Sequence, residues 1–248
     1  MPAGPGAHKR RGPGAAGRST RGRLSAIPNL VGEVDIRAAI VTVTGLVLSV
    51  CVHEWGHAFV ADKLGDGTPR SQGRVTLNQL AHIDPVGTLL IPAMAALTGG
   101  RIPALGWGKP VFTNPTRYTR RLTMHRANML VAAAGPGMNL VFAFVLSLIF
   151  VATMRLFPSE TLGAGLFKLI QMNLGLMVFN LLPIPPLDGG TVLKGFLPRQ
   201  HHHYLEPLER YGFIILLGLL VTGLLDYILM PFQPLILGWL SLLLALIR

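Results

Sequence analysis

The chain is a series of apolar stretches joined by short, mostly basic connections, and this pattern dictates a membrane fold before any motif is weighed. The stretches cover residues 38–61, 85–97, 125–154, 162–182, 211–225 and 227–247. A helix needs about 20 apolar residues to cross a bilayer. Residues 38–61, 125–154 and 162–182 meet that length, and 211–225 with 227–247 read as a terminal hairpin. The 85–97 stretch is too short and reads as re-entrant or interfacial. Only 13% of the 248 residues are charged, where a soluble domain would carry roughly 25%. The expected fold class is an all-α polytopic membrane protein. It would have about five transmembrane helices, a short re-entrant segment and a small β-hairpin.

Residues 1–36 are rich in Gly, Pro, Ala and Arg without periodicity, and read as a disordered basic tail. Residues 37–248 form the expected membrane domain, with a core over 38–195 and the helical hairpin over 211–247. A formal net charge of +11 raises the question of nucleic acid. The basic residues lie in the tail and in the connections, which suits anionic lipid headgroups and argues against a nucleic-acid partner. Cys51 is the single cysteine, so no internal disulfide exists.

Inside the first stretch stands His53-Glu54-Trp55-Gly56-His57. Ionisable residues at membrane depth are costly and mark function by default. Residues four apart share a helix face, so His53 and His57 can aim their rings at one point. This is the HExxH pattern: two imidazoles for zinc and a glutamate to handle the proton of an attacking water. The competing reading is a pair of core histidines satisfied by hydrogen bonds.

Hydrolytic zinc sites usually have three protein ligands. Among the remaining histidines and carboxylates, Asp188 has the most suitable setting. It closes the run Asn180-Leu181-Leu182-Pro183-Ile184-Pro185-Pro186-Leu187-Asp188-Gly189-Gly190. The prolines break the helix and the glycines permit a tight bend. A plain turn carboxylate remains the other reading. The run His201-His202-His203 sits among charged residues and reads as a solvated loop.

With these motifs in view, the chain resembles the site-2 protease family of intramembrane zinc metalloproteases, in particular its small bacterial branch without PDZ or CBS domains. The resemblance spans roughly residues 40–220. It rests on the HExxH motif, on Asn180 to Gly190 as an N-x-x-P-x-P-x-x-D-G element, and on Gly135-Pro136-Gly137-Met138-Asn139 as a G-P-x-x-N element. Connecting segments around Gly73–Asn78, His82–Gly87 and Gly106–Val111 are similar too; Gln79 departs from a proline common in that branch.

The resemblance implies one zinc ion per chain, held by His53, His57 and Asp188, with Glu54 as general base and acid. It implies that Asn139 orients the substrate carbonyl or stabilises the oxyanion, against the alternative of a structural interhelical asparagine. Asn180 would do related work or hold the unwound segment. The β-prone Gly73–Asn78 segment offers an edge, through Val75, to an extended substrate; His82 is a further candidate contact. The implied partners are the bilayer and a transmembrane protein or peptide substrate. A non-cutting scaffold and a metal transporter are the competing classes.

The ligands must meet at one depth, so the first and fourth stretches run in the same direction. That parity holds if 85–97 does not cross. Placing the site on the cytoplasmic side of the cell membrane puts most of the 22 Lys and Arg inside, although the basic tail pulls the other way.

Overall fold

The computed structural model describes residues 36–97 and 106–247. Nearly all of the tail over residues 1–36 therefore lies outside the described residues. Nine α-helices occur among the described residues: α1 (Ile36–Lys63), α2 (Thr68–Ser71), α3 (Ile91–Leu97), α4 (Met124–Leu156), α5 (Glu160–Asn180), α6 (Asp188–Phe196), α7 (Glu206–Val221), α8 (Leu224–Leu229) and α9 (Gln233–Ile247).

The long helices begin where their caps dictate. The Thr123 hydroxyl accepts from the Arg126 N–H at the start of α4, and the Ser159 hydroxyl accepts from the Leu162 N–H at the start of α5. Each satisfies one of the N–H groups that a helix start leaves without a partner. Glu160 adds a negative charge at the positive end of the α5 dipole.

Four helical stretches are long and apolar enough to cross a membrane: Ile40–Lys63, Met124–Leu156, Glu160–Asn180 and Leu224–Ile247. The expected crossing at 211–225 differs. It lies on α7, which has 16 residues, a rise of about 24 Å, and spends its first turns on Glu206, Glu209 and Arg210. Gly223, at φ 72°, breaks the chain before α8. The 85–97 stretch is a π-type turn over Pro85–Leu90 leading into α3. It is too short to cross, as the sequence predicts.

The expected β-hairpin is not found: no strand occurs among the described residues, and Gly73–Asn78 is a loop. Side-chain hydrogen bonds to backbone groups in and around the segment hold the loop. The Arg74 guanidinium donates to the carbonyls of Ala81 and Lys109. The His82 ring nitrogen Nε2 pairs with the Thr76 carbonyl at 2.8 Å. The Asn78 side chain accepts from the Leu80 N–H and starts a 3₁₀ turn.

The α4 helix is the hub, packing against α1, α5 and α6. Ala143, Leu146 and Phe150 of α4 meet Ile170 and Leu174 of α5 and Leu240 and Leu243 of α9. Polar ties cross this apolar body. Asn173 of α5 donates to Ser49 of α1 at 2.9 Å, and Trp239 of α9 donates to Ser147 of α4 at 2.9 Å. Phe213, Ile214, Leu217 and Val221 of α7 are exposed.

Candidate metal centre

His53 and His57 lie one turn apart on α1, where α1 faces α4. Both are buried, at 8% and 9% exposure. Their rings meet edge to face at 4.7 Å between centroids, and their Nε2 atoms are 3.0 Å apart.

The third member arrives from more than a hundred residues along the chain. After α5 ends at Asn180, the chain turns twice, with Ile184 N–H donating to the Leu182 carbonyl and Leu187 N–H to the Ile184 carbonyl. Pro183, Pro185 and Pro186 supply no N–H groups, so the helix cannot continue. A Cβ on Gly189 would strike the carbonyls of Leu181 and Leu182. Only glycine lets α6 start folded back against the end of α5, and this brings Asp188 to the histidines. Its Oδ2 lies 3.1 Å from His53 Nε2 and 3.4 Å from His57 Nε2.

The donor set fits a zinc ion. Metal–ligand distances of about 2.0–2.2 Å in a tetrahedron place ligand atoms roughly 3.3 Å apart, and the three separations here are 3.0, 3.1 and 3.4 Å. Two further features agree. Asp188 Oδ2 is buried without a hydrogen-bond partner. His57 Nδ1 lies 2.7 Å from the Val131 carbonyl oxygen. A carbonyl only accepts, so Nδ1 carries the hydrogen and Nε2 of the neutral ring presents a lone pair. A lone pair beside an unpaired carboxylate oxygen in a buried place is what a cation resolves.

Room for the two rings comes from α4. A Cβ on Gly135 would lie 2.5 Å from His57 Cε1 and 2.7 Å from His53 Cε1. Val131, Gly135 and Asn139 follow at intervals of four, so one face of α4 meets both imidazoles. Asn139 is fully buried, with its amide 3.2 Å from His53 Nδ1.

Glu54, beside His53 on α1, accepts from the Val111 N–H through Oε2 at 3.3 Å. Val111 belongs to an extended strap fastened on both sides of that contact. Lys109 N–H donates to the His82 carbonyl at 2.9 Å, the Thr88 hydroxyl to the Trp107 carbonyl at 2.7 Å, and Asn114 N–H to Asp66 at 2.5 Å.

The other sequence candidates make contacts of their own. The Asn180 amide donates to the Leu176 carbonyl at 2.9 Å, at the end of α5. The His82 ring is buried within its loop, and Val75 is half-buried there. Cys51 is a small buried residue whose thiol meets the Leu77 carbonyl. Sequence reasoning missed Val131 and Val111 because both act through the backbone, which no side-chain motif reports. Gly135 was visible as part of the G-P-x-x-N element, without its steric purpose.

Comparison with known proteins assigns the chain to a family. Residues 158–222 match the profile of Peptidase family M50. The chain is 39% identical over 193 residues to YwhC of Bacillus subtilis, covering 75% of this chain and 82% of that protein. It is 33% identical over 191 residues to Rip2 of Mycolicibacterium smegmatis, covering 75% and 69%. Both relatives are provisionally named zinc metalloproteases. A zinc metalloprotease of Methanocaldococcus jannaschii is 26% identical over 185 residues, covering 73% of this chain and 42% of that protein. No solved structure matches. By its similarity to YwhC and Rip2 over most of their length, the chain belongs to peptidase family M50.

Proposed function

We propose that this chain is a zinc endopeptidase that hydrolyses peptide bonds in or near transmembrane segments of membrane-protein substrates. The observation that carries the reading is the convergence of His53, His57 and Asp188, whose ligand atoms all lie within 4.8 Å of one another, beside Glu54 on a helix apolar enough to span a bilayer.

His53, His57 and Asp188 would hold one zinc ion, which when bound would supply Lewis-acid activation of a water and of the peptide carbonyl. The Glu54 carboxylate takes the proton of the attacking water and delivers it to the leaving amine. The Val111 N–H limits where that carboxylate can swing. A substrate helix hides its carbonyls in internal hydrogen bonds, so the cut segment must be extended. Within the 73–82 loop, contact with substrate falls to Val75. His82 is buried there, and Asn180 is engaged with its own helix.

The cell membrane is the proposed location, with the zinc end towards the cytoplasm. The support is the excess of Lys and Arg in the connections at that end. The 85–97 segment is read as re-entrant, which keeps α1 and α5 parallel and their ligands at one depth.

The test uses purified parent, Glu54→Gln and Asp188→Ala chains, assayed for bound zinc and for cleavage of a panel of membrane-tethered reporters bearing varied transmembrane segments. The parent should hold about one zinc and cut some reporters. Glu54→Gln should keep the zinc and cut none, and Asp188→Ala should lose the zinc. A folded parent without zinc after metal is resupplied, or a Glu54→Gln chain that cuts at the parent's rate, would overturn the proposal.

A further inference from the structure

The protonation of His53 leads to a role for Asn139. Both Nε2 atoms face the ligand cluster, and as metal ligands both need a lone pair there. A neutral imidazole has one N–H, so the hydrogen of each ring must sit on Nδ1. For His57 the Val131 carbonyl receives it at 2.7 Å. For His53 the group beside Nδ1 is the Asn139 amide, 3.2 Å away.

An amide can meet Nδ1 with its oxygen or with its nitrogen, and the two orientations have the same shape. With the nitrogen inward, Asn139 would donate to Nδ1 and force the hydrogen onto Nε2, where it would face the metal. Asn139 Oδ1 is then buried without a partner. Turning the amide leaves its nitrogen as the unpaired atom instead, so the amide's own bonding does not choose between them. The lone pair on His53 Nε2 does.

We propose that Asn139 is a positioning residue for His53: its side-chain oxygen accepts from His53 Nδ1–H, as the Val131 carbonyl does for His57. One face of α4 thereby sets both rings, through Val131 and Asn139, with Gly135 leaving room between them. Asn139 is 0% exposed, and its amide meets His53 at Nδ1, the ring nitrogen that does not face the ligand cluster. This differs from the oxyanion role that the resemblance implies, and it rests on the zinc site proposed above.

The test is the zinc affinity of the full chain in detergent, measured by competition with a chelator, for the parent, Asn139→Asp and Asn139→Leu. Aspartate keeps an oxygen acceptor and removes every donor, whereas leucine removes both. Outer-shell partners of ligating histidines typically contribute 10- to 100-fold to metal affinity. Asn139→Asp should bind zinc as tightly as the parent or tighter, and Asn139→Leu about 10- to 100-fold more weakly. Asn139→Ala, run alongside, should weaken binding in the same way and serves if the leucine chain does not fold. Parent-like affinity in the leucine and alanine chains would overturn the proposal, as would an aspartate chain as weak as they are. A folded parent that takes up no zinc would instead overturn the metal site itself.

Discussion

Gly135→Ala puts the close packing of α4 against the two histidines to a direct test. The added methyl carbon would lie 2.5 Å from His57 Cε1 and 2.7 Å from His53 Cε1. Carbon atoms settle at about 3.5–4.0 Å, so each ring must withdraw by about 1 Å. His57 has little freedom to do so, because its Nδ1 is tied to the Val131 carbonyl at 2.7 Å. Metal sites tolerate ligand displacements of only about 0.2 Å. The expected loss of zinc affinity is at least about 100-fold, equivalent to roughly 2.8 kcal/mol. Alanine is the better helix former by about 0.8–1.0 kcal/mol, so the same change would stabilise α4 if the space were free. Gly137→Ala supplies the control two residues on, where a Cβ meets nothing within 4 Å. It should keep the parent's zinc affinity. Chelator competition on both variants and the parent measures the effect. A Gly135→Ala chain that binds zinc like the parent would refute the steric reasoning.

Further tests follow from other parts of the fold. Ser49→Ala and Asn173→Leu, taken singly and together through unfolding in detergent, should show a coupling of about 0.6 kcal/mol, typical of hydrogen bonds between membrane helices; strict additivity would remove the 2.9 Å bond between them from the packing account. Tyr118 lies in the connection before α4, and burial is the main influence pushing its phenol above the ordinary tyrosine range. Its raised value means that the folded chain favours the neutral phenol. That contribution to stability is fully present below the unfolded tyrosine pKa of about 10 and is lost as pH rises through the folded value. Ultraviolet titration of the parent against Tyr118→Phe should therefore show one tyrosine ionising late. Its absence would place the phenol in water.

The sequence made the proposed metal centre legible because its parts are punctuated. Four-residue spacing puts His53 and His57 on one face whatever surrounds them, and three prolines followed by Asp188-Gly189-Gly190 announce an unwound segment. The 85–97 stretch was legible from length alone. The hairpin over Gly73–Asn78 was misread because β-branched alternation reports local preference, while the His82 ring takes the Thr76 carbonyl and Arg74 and Asn78 bind backbone groups just beyond the segment. Four of the described helices are long and apolar enough to cross where the sequence suggests about five, because apolarity does not show where Gly223 interrupts the chain. The face of α4 that sets the rings was hidden for a different reason. A carbonyl such as that of Val131 has no sequence signature, and the burial of Asn139 emerges only when α1 and α4 are side by side.

The fold of the Asp188 loop has a consequence for how the protein is made. A Cβ on Gly212 of α7 would run into the Pro185 carbonyl, so the segment that delivers the third ligand is backed by a helix synthesised after it. A nascent chain that has inserted only α1 to α5 carries two of the three proposed ligands and no support for the third. On the proposed function, a chain stalled or truncated before α7 would lack the backing of its third ligand and should bind zinc weakly and cut nothing.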